Sequence, residues 1–345
     1  MTLQQLVRPN IWSLKPYTCA RNEYTGEARA WLDANENSRI DGYNRYPDPL
    51  QMEVKERLAA LRGVEADRIF LGVGSDECID IAYRVFCRPG VDNVVAIDPT
   101  YGMYEVCADI NDVEYRPVSL GDRYSLDVDA LLAATDANTR IIWICSPNNP
   151  TGNAFPLEQL KEICRRFDGI TVIDEAYIDF SDKGSMVGML DEFPRLIVMQ
   201  TFSKAWASAA IRLGIAYASR EIIDIYNKVK YPYNINELTQ RQALAILDSR
   251  QLVEATAAEL VTARDRLATE LAAIPAVKEI YPSDANFLLF KVNDADALYA
   301  YLRDEGVIVR NRNRVHMCAG CIRVTVGNDE EDRIFIQKLR DYADR

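Results

Sequence analysis

Apolar residues in this chain fall into short, nearly unbroken runs separated by stretches of helical periodicity. Val94-Val95-Ala96-Ile97, Ile141-Ile142-Trp143-Ile144-Cys145, Ile170-Thr171-Val172-Ile173 and Leu196-Ile197-Val198-Met199 each read as a strand buried on both faces. Arg68-Ile69-Phe70-Leu71 reads as another. It leads through Gly72-Val73-Gly74 into a helix that Ser75 or Asp76 would cap and that continues through Ile79, Ala82 and Phe86. An earlier helix is expected over 50–61, where Val54, Leu58 and Leu61 share a face. Such runs alternating with helices predict an α/β fold, a mostly parallel sheet sandwiched by helices.

Residues 213–218 read as one more strand, with antiparallel pairing open to it, and a helical region follows over 237–273 with a break near Asp248-Ser249. Beyond Pro275, strands at 287–292 and 321–326 flank a helix at 295–305, which predicts a small α+β C-terminal domain. Residues 1–30 read as an irregular arm, and 31–37 as a short strand running into an Asn-rich turn. The expected division is an arm over 1–40 contributing to the small domain, a large domain over 41–235, and connecting helices with the small domain over 236–345.

Composition narrows the partners. The chain has 345 residues, of which 48% are hydrophobic, and a net charge of -12 without any basic run, so neither nucleic acid nor an acidic membrane surface is an expected partner. No apolar run reaches membrane-spanning length and Met1–Leu6 carries no basic-then-apolar leader, so the cytoplasm is the expected compartment. Cysteines scattered singly in apolar segments suit a reducing environment. Cys318-Ala319-Gly320-Cys321 has redox or half-zinc spacing. With no second pair and only His316 besides, it falls short of the four ligands of a structural zinc, and no metal is expected.

The polar clusters sit where parallel strands end, which is where open α/β sheets bind ligands. Asp98-Pro99-Thr100-Tyr101, Ser146-Pro147-Asn148-Asn149, Asp174-Glu175-Ala176-Tyr177 and Thr201-Phe202-Ser203-Lys204 follow successive strands. A partly buried lysine loses its charge more easily and can then form a Schiff base with an aldehyde. Lys204 is the candidate, with Thr201, Ser203, Arg212 and the backbone at Ser75 and Asp76 as donors for a phosphate ester on that aldehyde. A pyridine ring carrying both groups would need a carboxylate at its nitrogen, for which Asp174 is the candidate. Tyr177 and Asn149 could donate to its phenolic oxygen, and Tyr101 could stack on its face. A dinucleotide reading fails because Gly72-x-Gly74 is followed by Glu77 where the third glycine belongs.

Together, Ser146-Pro147-Asn148-Asn149-Pro150-Thr151-Gly152, Asp174-Glu175-Ala176-Tyr177 and Ser203-Lys204 with Arg212 resemble the signature of the fold-type I pyridoxal-phosphate aminotransferases. Asp33-Ala34-Asn35-Glu36-Asn37, Asn44-Arg45-Tyr46-Pro47, Gly74-Ser75-Asp76-Glu77 and Gly320-Cys321-Ile322-Arg323 are similar to the histidinol-phosphate branch of that family. The resemblance implies pyridoxal 5'-phosphate as cofactor and amino transfer from L-glutamate to imidazole acetol phosphate, giving histidinol phosphate and 2-oxoglutarate. Lys204 would move the substrate Cα proton. Arg323 would hold the donor's carboxylate or the phosphate of histidinol phosphate, and Arg310 would be a second anion contact. Tyr17 and Asn35 would lie near the substrate, and Tyr46 would reach the cofactor phosphate of a neighbouring subunit in a homodimer. The chain departs from the pattern at Ala209-Ala210-Ile211, where a glycine-leucine pair is usual, and at Ser38, where proline is common. Aromatic aminotransferases and threonine-phosphate decarboxylase resemble the chain in the same motifs. A binding protein that keeps the fold without turnover is the alternative of another class.

Overall fold

The computed structural model describes residues 1–24, 26 and 28–344. Seven strands, β1 (Ile69–Val73), β2 (Asn93–Asp98), β3 (Glu114–Ser119), β4 (Thr139–Cys145), β5 (Ile170–Asp174), β6 (Leu196–Thr201) and β7 (Leu213–Tyr217), form one sheet in the order β1-β7-β6-β5-β4-β2-β3. All run parallel except β7, which is antiparallel to both neighbours. The unbroken apolar runs have a simple cause. Successive side chains point to opposite faces, so Ile142, Ile144, Ile173, Leu196 and Val198 enter one core while Ile141, Trp143, Val172, Ile197 and Met199 enter the other. Each fully buried aliphatic side chain contributes roughly 1.5–3 kcal/mol, and a one-residue slip would exchange the two faces throughout a strand.

A second, four-stranded antiparallel sheet is built from β8 (Val277–Ile280), β9 (Phe287–Val292), β10 (Arg310–Asn311) and β11 (Cys321–Thr325) in the order β10-β11-β9-β8. It packs with the helices Ala295–Asp304 and Asp329–Ala343 around its own core. The connecting helices Glu237–Asp248 and Arg250–Ala272 break at Ser249, as the sequence pattern predicts.

Four local expectations are corrected. The helix after β1 starts at Gly74, two or three residues earlier than a Ser75 or Asp76 cap would place it, and it has no side-chain cap. Glu77 Oε2 instead accepts the Val73 N–H at 2.5 Å. Residues 31–37 form no strand: Asn35 is left-handed (φ 55°), and charge replaces the ladder. Glu36 accepts from Arg21 at 2.5 Å, Arg45 at 2.6 Å and the Tyr46 N–H at 2.6 Å. The arm is less irregular than its composition suggests, since Leu3–Leu6, Pro9–Trp12 and Ala20–Glu23 are short helices, the first closed by a reciprocal Thr2–Gln5 capping box. Finally, β3 was not legible at all. It is a polar edge strand, and Pro117 is tolerated in it because only one side needs a ladder.

Candidate active site

The chain leaves β2 for β3 on one side and returns to β4 on the other, so a crevice opens beyond the carboxyl ends of β2 and β4. A cavity of about 840 Å³ lies there, walled by the ends of β2, β4, β5 and β6 and roofed by residues of the small sheet. Asp174, the last residue of β5, is 3% exposed and stands in register with Cys145 and Met199 of the flanking strands. The Tyr104 hydroxyl donates to its Oδ2 at 2.7 Å and the Ala176 N–H to its Oδ1 at 3.1 Å. Burial raises its pKa to about 6 against the opposing pull of those two bonds and of Lys204. An ionised carboxylate enclosed in this way favours a cationic partner.

Lys204 lies three residues past β6, with Nζ 5.4 Å from the Tyr177 ring centroid. Its side chain opens to the cavity, yet enough protein surrounds the ammonium to strip part of its hydration. That loss, followed by repulsion from Arg323, holds its pKa below the usual lysine range. Tyr177 is buried edge-on against Phe287 of β9, ring centroids 5.2 Å apart, and burial raises its phenol pKa. Arg323 Nη1 donates to Asn149 Oδ1, which leaves the Asn149 amide as the free donor.

The opposite wall is a crowded turn. Gly74 is left-handed (φ +70°), and a Cβ there would lie 2.5 Å from Arg212 Nη2. A Cβ on Gly214 of β7 would fall 2.3 Å from the Ser75 nitrogen. The turn before the helix is therefore pressed directly on β7 and beside Arg212. Arg212 Nη2 lies 3.5 Å from Asp76 Oδ2, and the Tyr101 hydroxyl donates to Asp76 Oδ1 at 3.1 Å. Thr201 Oγ1 accepts the Ser203 N–H at 3.1 Å.

Ser75, Asp76, Tyr101, Asn149, Asp174, Tyr177, Thr201, Ser203, Lys204, Arg212, Arg310 and Arg323 all line this one cavity. Tyr17, Asn35 and Tyr46 do not. Tyr17 is 74% exposed, and Asn35 and Tyr46 border a separate pocket of about 420 Å³, where Tyr46 stacks on Tyr233. Sequence reasoning missed Tyr104, although it lies only three residues beyond Tyr101. Arg312 was also missed, two residues beyond Arg310. His316, weighed only as a metal ligand, borders the cavity with Nε2 2.9 Å from Ser119 Oγ and 4.0 Å from Asp98 Oδ2.

A lysine and a buried carboxylate at adjacent strand ends of a doubly covered sheet define the class, and residues 19–339 match the family described as aminotransferase class I and II. The chain is 52% identical over 342 residues to a histidinol-phosphate aminotransferase of Bacteroides thetaiotaomicron, covering 99% of each chain. To that of Parabacteroides distasonis it is 51% identical over 338 residues, covering 98% of each. The chain belongs to the class I and II aminotransferases and, within them, to the histidinol-phosphate aminotransferase family. Among solved structures, the histidinol-phosphate aminotransferase of Sinorhizobium meliloti in complex with pyridoxal-5'-phosphate superposes with TM-score 0.80 at 22% identity, covering 87% of this chain and 83% of that one. L-threonine-O-3-phosphate decarboxylase of Porphyromonas gingivalis gives 0.75 at 19%, covering 88% and 92%. Such likenesses carry the fold, which does not choose between the two reactions.

Proposed function

We propose that this protein is a pyridoxal-phosphate-dependent histidinol-phosphate aminotransferase, exchanging an amino group between L-glutamate and imidazole acetol phosphate in histidine biosynthesis. The observation that carries the reading is the meeting of Lys204, Asp174 and Arg323 in one cavity. The near-full-length relatives at about half identity support the substrate pair. The residues fit the cofactor: Gly74 and Gly214 let the turn before the helix press against β7 and Arg212, with Ser75 and Asp76 at the cavity, and Asp174 is a buried carboxylate for a ring nitrogen.

When bound, pyridoxal phosphate supplies an aldehyde and an electron-accepting ring. Lys204 presents a weakly hydrated amine to that aldehyde. The same amine would serve as base and then acid, taking the donor's Cα proton and delivering it to the carbon on the far side of the donor's nitrogen. Asp174 would keep the ring nitrogen protonated, and Tyr104 holds the carboxylate in position. Asn149 and Tyr177 would donate to the phenolic oxygen, and Tyr101 would lie against the ring. Ser75, Asp76, Thr201, Ser203 and Arg212 cradle the phosphate through backbone and side-chain donors. Arg323, with Arg310 beside it, holds the carboxylate of glutamate in one half-reaction and the phosphate of histidinol phosphate in the other.

The reading extends to a cytoplasmic homodimer in which Tyr46 reaches the partner's cofactor phosphate, with Tyr17 and Asn35 near the substrate. Their position outside the cavity of their own subunit supports this arrangement. It also keeps the division into an arm over 1–40, a large domain over 41–235 and a small domain with its connecting helices over 236–345. The test is a visible spectrum of the protein loaded with pyridoxal phosphate. The cofactor band should bleach on adding histidinol phosphate and return on adding 2-oxoglutarate. Bleaching only with a different amino donor would overturn the substrate, and absence of any band would overturn the cofactor.

A further inference from the structure

The segment from Arg310 to Asn313 reads Arg-Asn-Arg-Asn, and the structure sorts its two residue types to opposite sides. Asn311 and Asn313 both donate to Asp296 of the helix Ala295–Asp304, at 2.6 and 2.9 Å. Gly320 N–H donates in turn to Asn313 Oδ1 at 2.8 Å. Extended backbone alternates its side chains, so tying the asparagines to the helix turns Arg310 and Arg312 the other way, into the cavity. Arg310 lies directly opposite Arg323 on β11, which brings the third guanidinium to the same face.

Three cations now share one wall, and among the described residues none of them forms an ion pair. Nε of Arg312 and Nε of Arg323 are buried without any hydrogen-bond partner. Burial, then repulsion from Arg323 and Arg310, lowers the Arg312 pKa to about 10. This is unlike Arg116, which lies between Glu114 and Asp136, and unlike a chain whose net charge is -12. Buried donors without partners are costly, and a wall built of them suits a ligand that brings several anionic oxygens to one point. A phosphate monoester does so with three oxygens and nearly two charges. Glutamate, in contrast, spreads its two carboxylates along the molecule.

We infer that Arg312 is a specificity-determining residue, a third guanidinium that selects a phosphomonoester substrate over a dicarboxylate. The inference rests on the function proposed above and concerns a residue to which that proposal gives no role.

The test compares wild type, Arg312→Gln and Arg312→Lys, each loaded with pyridoxal phosphate so that the cofactor's own phosphate seat is filled. Single-turnover rates are read for histidinol phosphate and for glutamate, and inorganic phosphate binding is measured by calorimetry. Arg312→Gln should lower kcat/KM for histidinol phosphate by roughly 10²-fold, the scale of losing one partner in a desolvated charge pair. The loss should be at least about ten times that seen with glutamate, inorganic phosphate should bind correspondingly more weakly, and Arg312→Lys should recover part of both. Equal losses with the two donors, or phosphate binding unchanged in Arg312→Gln, would overturn the role of Arg312. A wild-type enzyme that binds inorganic phosphate through Arg312 but ignores histidinol phosphate would overturn the function proposed above and leave the anion subsite standing.

Discussion

Asp174 and Arg312 both lose hydration in the same cavity, yet they are held in opposite ways. Asp174 ends a strand flanked on both sides, in register with its neighbours, and has a hydrogen-bond donor on each oxygen. Arg312 follows a two-residue edge strand whose direction is fixed by two asparagines on one aspartate. The first arrangement suits reaction chemistry, in which a charge must not move. The second suits substrate selection, since an edge strand can change its side chains without disturbing a core. On the function and the role of Arg312 proposed above, the large sheet would carry the reaction and the small sheet the choice of anion.

The largest effect expected from breaking this division is at Lys204. Lys204→Ala should leave no measurable turnover with either donor and remove the visible band of the bound cofactor. Residual turnover above about one part in a thousand would put the proton-moving group elsewhere. Asp174→Asn comes next, with a loss of roughly 10³-fold in rate with both donors alike, on the scale of a preorganised charge in an enclosed site. A donor-dependent loss would blur the line between the sheets.

The smallest effect concerns stability. Glu175, adjacent to Asp174, is 2% exposed and accepts from Ser185, the Met186 N–H and Gln200. Burial raises its pKa from 4.5 to about 7. Between those values the folded protein holds a proton that the unfolded chain releases, so this contribution is present at low pH and lost as pH rises toward 7. The stability advantage of wild type over Glu175→Gln should shrink by roughly 2–3 kcal/mol between pH 4.5 and 7.5, as measured by denaturant midpoints. A constant difference would mean that Glu175 is ionised in the folded protein throughout.

How much of this was legible in the sequence follows the same division. Asp174, Asn149 and Lys204 stand at the ends of apolar runs that could only be buried strands, so their meeting point followed from the topology of parallel sheets. Arg312 was hidden because Arg-Asn-Arg-Asn is polar throughout and carries no hydrophobic alternation to betray a strand; its direction depends on Asp296, a residue of the helix before it. The same reason concealed β3, and it misled the reading of 31–37, where ion pairs around Glu36 do the work of a ladder. Tyr104 was obscured differently, since one more aromatic on an apolar helix looks like core. It is core on its ring and site on its hydroxyl.

That double character has an optical consequence. Trp143 is fully buried in β4 with the rings of Tyr104 and Tyr83 stacked against it, at 4.9 and 5.5 Å. Its indole is one tyrosine removed from Asp174, the carboxylate proposed to face the cofactor's ring nitrogen. Emission from so dry an indole lies toward the blue, and a chromophore held at Asp174 would be well placed to quench it by energy transfer. Of the four tryptophans in the chain, this one serves as a built-in gauge of occupancy, read from the light that the protein itself emits.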